Sequence, residues 1–398
     1  MFFRHLVFIL CLFLITCSKQ DKSTVAETSE VIIPAHIREL DNLKVFYGFD
    51  PVYSVQFSKE HVFGEIYPQL LPPVRGFGPA VAVDEVGNVF RAEKAEKTIL
   101  AFDPQGMLKG KIGRQGNGPG EFQTITAIDV YDDQLIVYDS NLIRINIFNA
   151  QSFELLKTLT IDSNTWNIEE AKMLFPQTIL GIGKEEFLTA VSLEKNGDSY
   201  NGFYLMDIDG RIISKKITEN KLTETHTGDT GSGHRATIRV PYSTRGEFDV
   251  TQDGKIYHID TGDFLIKVFN PTGELERSIY YPFEKDPLEE QEVLDRFHPN
   301  IHRVLNTAVY PEKWPALEHF FVDDKNRIWV STIVDDKEIH EWHILENSGE
   351  LLATFAWPSD RKIITSQNGL IYTEEEDSET RAKVVVSYKM QLIEKQNL

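Results

Sequence analysis

One short unit recurs six times along this chain, and no other feature restricts its fold as strongly. Each copy has a short apolar strand, a tight polar turn, a second strand carrying an aromatic, and a third strand ending in an aromatic and another turn. The clearest copy reads Val81-Ala82-Val83-Asp84, Gly87-Asn88, Val89-Phe90-Arg91-Ala92-Glu93, Ile99-Leu100-Ala101-Phe102-Asp103 and Gly106. The second runs through Ala127-Ile128-Asp129, Leu135 to Asp139 and Arg144 to Asn149; a degraded third has Phe187 to Val191, Phe203 to Asp207 and Gly210. The fourth contains Phe248-Asp249-Val250, Ile256 to Asp260 and Ile266 to Asn270; the fifth Phe320 to Asp323, Arg327 to Val330 and Trp342 to Leu345; the sixth Ile363-Ile364, Leu370 to Glu374 and Val384 to Tyr388. Apolar alternation between Gly, Asn and Asp turns specifies antiparallel hairpins. A fourth strand follows each third one, as in Leu108 to Ile112. Four-stranded units at a period of about 45 residues predict an all-β chain: a six-bladed β-propeller of four-stranded antiparallel blades. A small sheet has two apolar faces and cannot bury both alone, and radial packing covers them while leaving only short edges. The propeller is expected over residues 43–392, with Tyr53 to Phe57 supplying the outer strand that the last unit lacks.

The start of the chain reads differently. Arg4 and His5 precede an apolar run from Leu6 to Ile15, too short for the roughly 20 residues of a membrane span and typical of a secretory signal. The run ends Leu14-Ile15-Thr16-Cys17, which resembles the lipobox of bacterial lipoproteins. That resemblance implies a signal peptide over residues 1–16, lipidation of Cys17, and an envelope protein held to a bacterial membrane, on the periplasmic side or the cell surface. A plain signal peptide with an incidental cysteine is the alternative. Both cysteines, Cys11 and Cys17, lie in this leader, so the body is expected to have no disulfide, no thiolate nucleophile and no cysteine-ligated zinc. Residues 17–42 begin with a polar Ser, Thr, Lys and Glu-rich stretch and are expected to be a tether. The formal charge of −20 argues against nucleic acid and against adsorption to anionic lipid, since both require surplus Lys and Arg.

The run IGRQGNGPGEF, Ile112 to Phe122, followed by Ile128-Asp129, Asp139 and Arg144, resembles an NHL repeat, in which a Gly-rich loop enters the inner strand of the next blade. With its lipobox, the chain is similar to the 6-bladed β-propeller lipoproteins of Bacteroidetes-type bacteria. The resemblance implies the propeller fold and a binding role.

In a propeller, the fourth-to-first connections share a face with the second-to-third turns. The long insertions fall in the first class: residues 113–125, residues 218–247, and residues 281–318, the last with a short helical pattern between blades 4 and 5 from Pro287 to Asp295. Long loops on one face of a rigid scaffold point to a site there. In a chain short of cations, Arg114, His234, Arg235, Arg239 and Arg303 stand out, with Tyr242 as a stacking surface for an anionic or sugar ligand; Arg245 lies beside them. The bland reading is a salt-bridge network that anchors long loops. Glu93, Asp139, Asp260 and Glu374, at the ends of second strands, could ring the channel mouth and hold calcium. Against this, a turn Asp commonly caps its own backbone.

Catalytic motifs are absent: no GxSxG elbow, no HExxH and no P-loop. His298 and His302 bracket Pro299, and His340 and His343 fall on opposite faces of a strand, so both pairs read as loop or packing histidines. The expected function is non-catalytic recognition of a protein, peptide or glycan through the loop face, with no cofactor. The alternatives are a calcium- or zinc-dependent propeller hydrolase or lyase of lactonase type, with its site at the channel mouth, and a structural subunit of an envelope complex.

Overall fold

The computed structural model describes residues 33–64, 80–222, 225–231, 233–295, 297–334, 336 and 338–395; the signal peptide, Cys17 and residues 17–32 of the tether lie outside them. Blade 1 is built from Val81–Val83, Val89–Glu93, Thr98–Phe102 and Leu108–Ile112. Blade 2 follows with Ile125–Tyr131, Gln134–Asp139, Arg144–Asn149 and Leu155–Thr160. Blade 3, the degraded unit, has the longest strands: Ala171–Gly183, Glu186–Lys195, Asp198–Asp207 and Thr218–Lys221. Blade 4 comprises Gly246–Val250, Ile256–Asp260, Leu265–Phe269 and Leu275–Tyr280. Blade 5 comprises His319–Val322, Ile328–Ile333, Ile339–Leu345 and Leu351–Pro358. Blade 6 takes Lys362–Gln367, Leu370–Glu376 and Lys383–Glu394 from the C-terminus. Its outer strand is Tyr53–Phe63, paired antiparallel from Tyr53↔Glu394 to Phe63↔Val385. The ring therefore closes as the sequence predicts, with a longer strand.

The tight turns follow one rule. Asp84, Asp103, Asp207, Asn270 and Asp323 each accept the backbone N–H groups two and four residues on, at 2.7–3.1 Å. The residue three positions on has positive φ in every case: Gly87, Gly106, Gly210, Gly273 and Asn326. The acceptor side chain supplies the turn's hydrogen bonds, and Gly or Asn supplies the left-handed backbone. These are first-to-second and third-to-fourth turns, so one face of the disc is short and stereotyped. The long connections rise from the other.

Six buried apolar clusters make the core, one in each seam between neighbouring blades. Phe90, Ile99, Ile112, Phe122, Ile128, Val137 and Phe148 join blades 1 and 2, and Ile136, Tyr138, Ile147, Phe187, Val191 and Tyr204 join blades 2 and 3. Leu188, Phe203, Leu205, Ile256 and Phe269 lie between blades 3 and 4, and Tyr257, Ile266, Ile279, Leu317 and Val330 between blades 4 and 5. Trp329, Trp342, Ile371 and Val386 fill the next seam, and Phe63, Val89, Phe102, Tyr372 and Val385 close the ring. Each such side chain is worth about 1.5–3 kcal/mol when fully buried, and none would be buried within a lone blade. Two inner strands add polar staples. Asp129 takes N–H bonds from Val130 and from Gly181 of blade 3; Asp249 takes them from Val250 and from Val322 of blade 5.

Residues 34–42, expected as the end of the tether, are folded against blade 4. Helix α1 (Ala35–Arg38) buries Ile37, and Leu43–Val45 pairs parallel with the outer strand of blade 4, giving that blade a fifth strand. Phe46 and Phe49 then stack on Tyr281 with ring centroids 5.3 and 5.1 Å apart. Apolar Ile37, Leu43, Val45, Phe46 and Phe49 have a surface to cover here, so residues 34–49 belong to the same compact unit as the blades. The insertion between blades 4 and 5 is helical as expected, with α2 (Glu290–Asp295) and a second short helix, α3 (His302–Leu305).

Candidate functional site

The two largest insertions form one lobe over blade 4. Between blades 3 and 4 stands a hairpin, Thr225–Asp229 with Arg235–Arg239, in register from Thr225↔Arg239 to Asp229↔Arg235. Its inner face carries His226 and Gly228. The His226 ring Nε2 lies 2.8 Å from Thr307 Oγ1, and Gly228 leaves room for Val304 of α3. At the hairpin tip Gly231 has φ +84°, and a Cβ there would strike the Arg303 guanidinium. Tyr242 packs edge-on against Trp314 at 4.4 Å.

The lobe is tied down at the second-to-third turn of blade 4. Thr261 N–H donates to Arg245 O, and Leu317 N–H to Thr261 O, at 2.9 and 3.1 Å. Lys285 Nζ donates to Gly262 O at 2.8 Å. Arg245 pairs with Glu247 and Glu318, which hold its guanidinium protonated despite the burial that opposes charge. Arg245 is thus an anchor of the lobe and belongs to the salt-bridge reading.

Five of the predicted ligand residues, His234, Arg235, Arg239, Tyr242 and Arg303, come together in this lobe. His234, Arg235, Arg239 and Arg303 are exposed. Arg114 is elsewhere, in the Gly-rich loop between blades 1 and 2, two seams around the ring from the hairpin. It pairs with Glu121 at 2.8 Å, and its side chain is 81% exposed. That loop is organised by Arg144, whose guanidinium donates to Asn117 O, Gly118 O and Glu121 O at 2.9, 3.0 and 2.7 Å. The Gly118 N–H bond, then Arg114, hold the Glu121 carboxyl below the usual range.

The carboxylate ring expected at the channel mouth does not form. Glu93 is buried against Arg91 at 2.6 Å. Asp139 accepts four backbone N–H groups, from Gln123, Thr124, Asn141 and Leu142, at 2.6–3.1 Å, and so caps its own turn and the incoming loop. Asp260 accepts the Gly262 N–H at 2.8 Å. Glu374 is out of phase with the others. Ile371 lies in the seam with blade 5 and Tyr372 in the seam with blade 1, so strand alternation turns Glu374 toward blade 1. There it offsets the lowering of the Lys94 pKa that burial causes. Glu375 is the counterpart of Asp139, and it accepts the hydroxyls of Thr373 and Tyr388 at 2.8 Å. Among the described residues no three His, Cys, Asp or Glu side chains gather as a metal ion requires. By the same alternation Glu93 and Glu374 aim into the seam between blades 6 and 1, Asp139 into that between blades 1 and 2, and Asp260 into that between blades 3 and 4.

The histidines fit the bland reading. His298 Nδ1 caps a short 3-10 turn, and the His302 ring meets Phe297 O at 2.7 Å. His343 is buried against Phe49 and Phe264, while His340 lies on the other side of its strand beside His319. His258 lies on the second strand of blade 4, as His319, His340 and His343 lie on strands of blade 5. Burial pushes the His258 pKa down to about 3 and that of His343 to about 4. Thr227 and Thr237, hydrogen-bonded across the outer face of the hairpin at 2.7 Å, were not singled out from sequence. Their alternation with Arg235 and Arg239 was the available signal.

Ring closure, six seams and one elaborated face define a six-bladed β-propeller that carries its largest insertions over blade 4. Residues 83–305, over half the chain, match the family described as 6-bladed beta-propeller (DUF5128), and the chain belongs to it. No curated protein matches the chain. Among solved structures it is similar to a Bacteroides fragilis protein described as exported, at 12% identity over 88% of this chain and 99% of that one, with a TM-score of 0.49. It is also similar to a DUF4221-family member from Bacteroides vulgatus, at 12% identity over 86% and 99% with a TM-score of 0.46. A third is the PQQ-bound aldose sugar dehydrogenase of Streptomyces coelicolor, at 9% identity over 86% and 100% with a TM-score of 0.44.

Proposed function

We propose that this protein is an exported propeller, lipid-anchored through Cys17, that binds a protein, peptide or glycan ligand through the lobe over blade 4 and does not catalyse a reaction. Export and anchoring rest on the leader and its lipobox-like end. The reading of the lobe rests on one observation: two insertions separated by a whole blade pack on each other, and the lobe they form carries His234, Arg235 and Arg303 exposed, with half-buried Tyr242 against Trp314, on an acidic chain. Rigid support of that surface lowers the ordering cost of binding. The test is a peptide and glycan array probed with the mature protein. For any ligand found, Arg235→Ala combined with Arg303→Ala should weaken binding at least tenfold, and Arg114→Ala should leave it unchanged. Equal loss from Arg114→Ala, or none from the lobe variant, sinks the proposal.

A further inference from the structure

Among the described residues, the two strands of the lobe's hairpin pair with each other and with no other strand. The hydrogen bond from Thr230 N–H to His234 O, 2.9 Å, fixes the phase of its ladder. Counting back by two along the register, Gly228↔Ala236 and His226↔Ile238 are the pairs that exchange backbone bonds, while Asp229↔Arg235, Thr227↔Thr237 and Thr225↔Arg239 do not. The N–H and C=O groups of Arg235, Thr237 and Arg239 therefore point outward, away from the partner strand. On the opposite edge, the outward carbonyl of Thr227 is approached by Arg235 Nη2 at 3.4 Å.

The blade edges are protected in ways this edge is not. Blade 4 is covered by Leu43–Val45, and the outer strand of blade 6, Tyr53–Phe63, carries Lys59 beside a register break at Lys59/His61. The pairings of the outer strands of blades 1, 2 and 5 with their third strands each contain a register break, at Ala101/Phe102, Leu155/Lys157 and Ile344/Leu345, and the outer strands of blades 1 and 2 also carry lysines. Blade 3 places Lys221 on its outer strand. Bulges and lysines are the usual means of stopping strand addition. The hairpin pairs five residues on five without a break and contains no lysine. Its outer face, Thr225, Thr227, Asp229, Arg235, Thr237 and Arg239, is exposed throughout.

We infer that the outer edge of Arg235–Arg239 takes an extended peptide of another protein as a third antiparallel strand, with acidic side chains at alternate positions opposite Arg235 and Arg239. Main-chain bonds supply affinity and the arginines select charge and register, as in other strand-addition interfaces. This rests on the lobe being the binding surface, and it narrows the ligand to a peptide of that chemistry.

The probe is a fluorescent octapeptide of alternating glutamate and threonine, titrated against the mature protein and read by anisotropy. The wild type should bind it, and a lysine–threonine octapeptide should not bind. An otherwise identical octapeptide, N-methylated on the amides of one edge and then on those of the other, should bind tenfold or more weaker in one of the two forms. Thr237→Pro, which removes an outward N–H without touching a ladder bond, should cause a comparable loss. If that variant misfolds, the N-methylated peptides give the same readout on the unaltered protein. Failure of the wild type to bind the octapeptide, or equal binding of both N-methylated forms, overturns strand addition. A different ligand lost in the Arg235→Ala/Arg303→Ala variant would still uphold the lobe, so the two readings fail separately.

Discussion

Asp249 offers a quantitative test of how the ring is held. It sits on the inner strand of blade 4, and its two carboxylate oxygens accept Val250 N–H at 2.8 Å and Val322 N–H of blade 5 at 2.7 Å. Burial, opposed by those two bonds and reinforced by Asp129, pushes its pKa up to about 7. A folded-state value above the ordinary 3.8 means that the folded protein holds the proton more tightly than the unfolded chain. The stabilisation is complete below pH 3.8 and is lost as pH rises through 7. At about 1.36 kcal/mol per pH unit, the group contributes roughly 4 kcal/mol in full, of which about 3 kcal/mol disappears between about pH 5 and about pH 8.5. Asp249→Asn removes the titration and can satisfy only one of the two N–H donors, at a cost of about 1 kcal/mol. Urea midpoints measured for both proteins across this range should give a stability difference that shifts by about 3 kcal/mol in favour of the variant as pH rises. The difference is the quantity to read because His258 titrates in both proteins with the opposite sign. Its pKa, lowered to about 3, gives stability present above the ordinary 6.5 and lost as pH falls. A difference that stays flat from acid to alkali would show that the buried carboxylate is not strained by its charge.

Two further outcomes probe the loop and the strap. Arg144→Lys cannot reach three carbonyls with a planar fork, so the amides of Gly116, Gly118 and Phe122 should exchange hydrogen about tenfold faster, and unchanged protection would remove Arg144 as the organiser of the Gly-rich loop. Phe49→Ala should cost about 2 kcal/mol, below the 3–5 of a fully buried Phe because this ring is half-buried on Tyr281 and Phe264, and an unshifted unfolding midpoint would place residues 43–49 outside the cooperative fold.

The blades were legible because each is local in sequence. Turn acceptors such as Asp84 and Asp323, with Gly87 or Asn326 three positions on, announce both the turn and its backbone conformation. Ring closure was legible for a different reason: a unit without a fourth strand must find one, and Tyr53 to Phe57, ahead of the first unit, was available; the strand runs on to Phe63. The docking of residues 34–49 was not legible, since its partners Asp263, Tyr281 and Gly349 are some two to three hundred residues away and the strand involved is only three residues long. The carboxylate ring failed for a geometric reason. Equivalent positions in six repeats look like a ring on paper, yet a side chain at a strand end points into a seam, and a slip of one residue, as between Glu374 and Glu375, reverses the seam. The lobe was half legible: length and charge marked both insertions, but their mutual packing depends on Val304 meeting Gly228, a contact with no local signature.

That lobe stands over blade 4 for a mechanical reason. Its two insertions leave from either side of this blade, so a single rigid sheet sets the distance between their feet. The same sheet receives the N-terminal strand Leu43–Val45 on its outer edge, and His36 reaches Asp263 at 3.0 Å beside the turn that binds Lys285 and Leu317. Blade 4 thus carries five strands, both insertions and the arriving chain. A binding surface built on separate loops must order each of them when a ligand arrives. One built on a shared sheet has already lost that freedom in folding, and retains more of its contact energy as affinity.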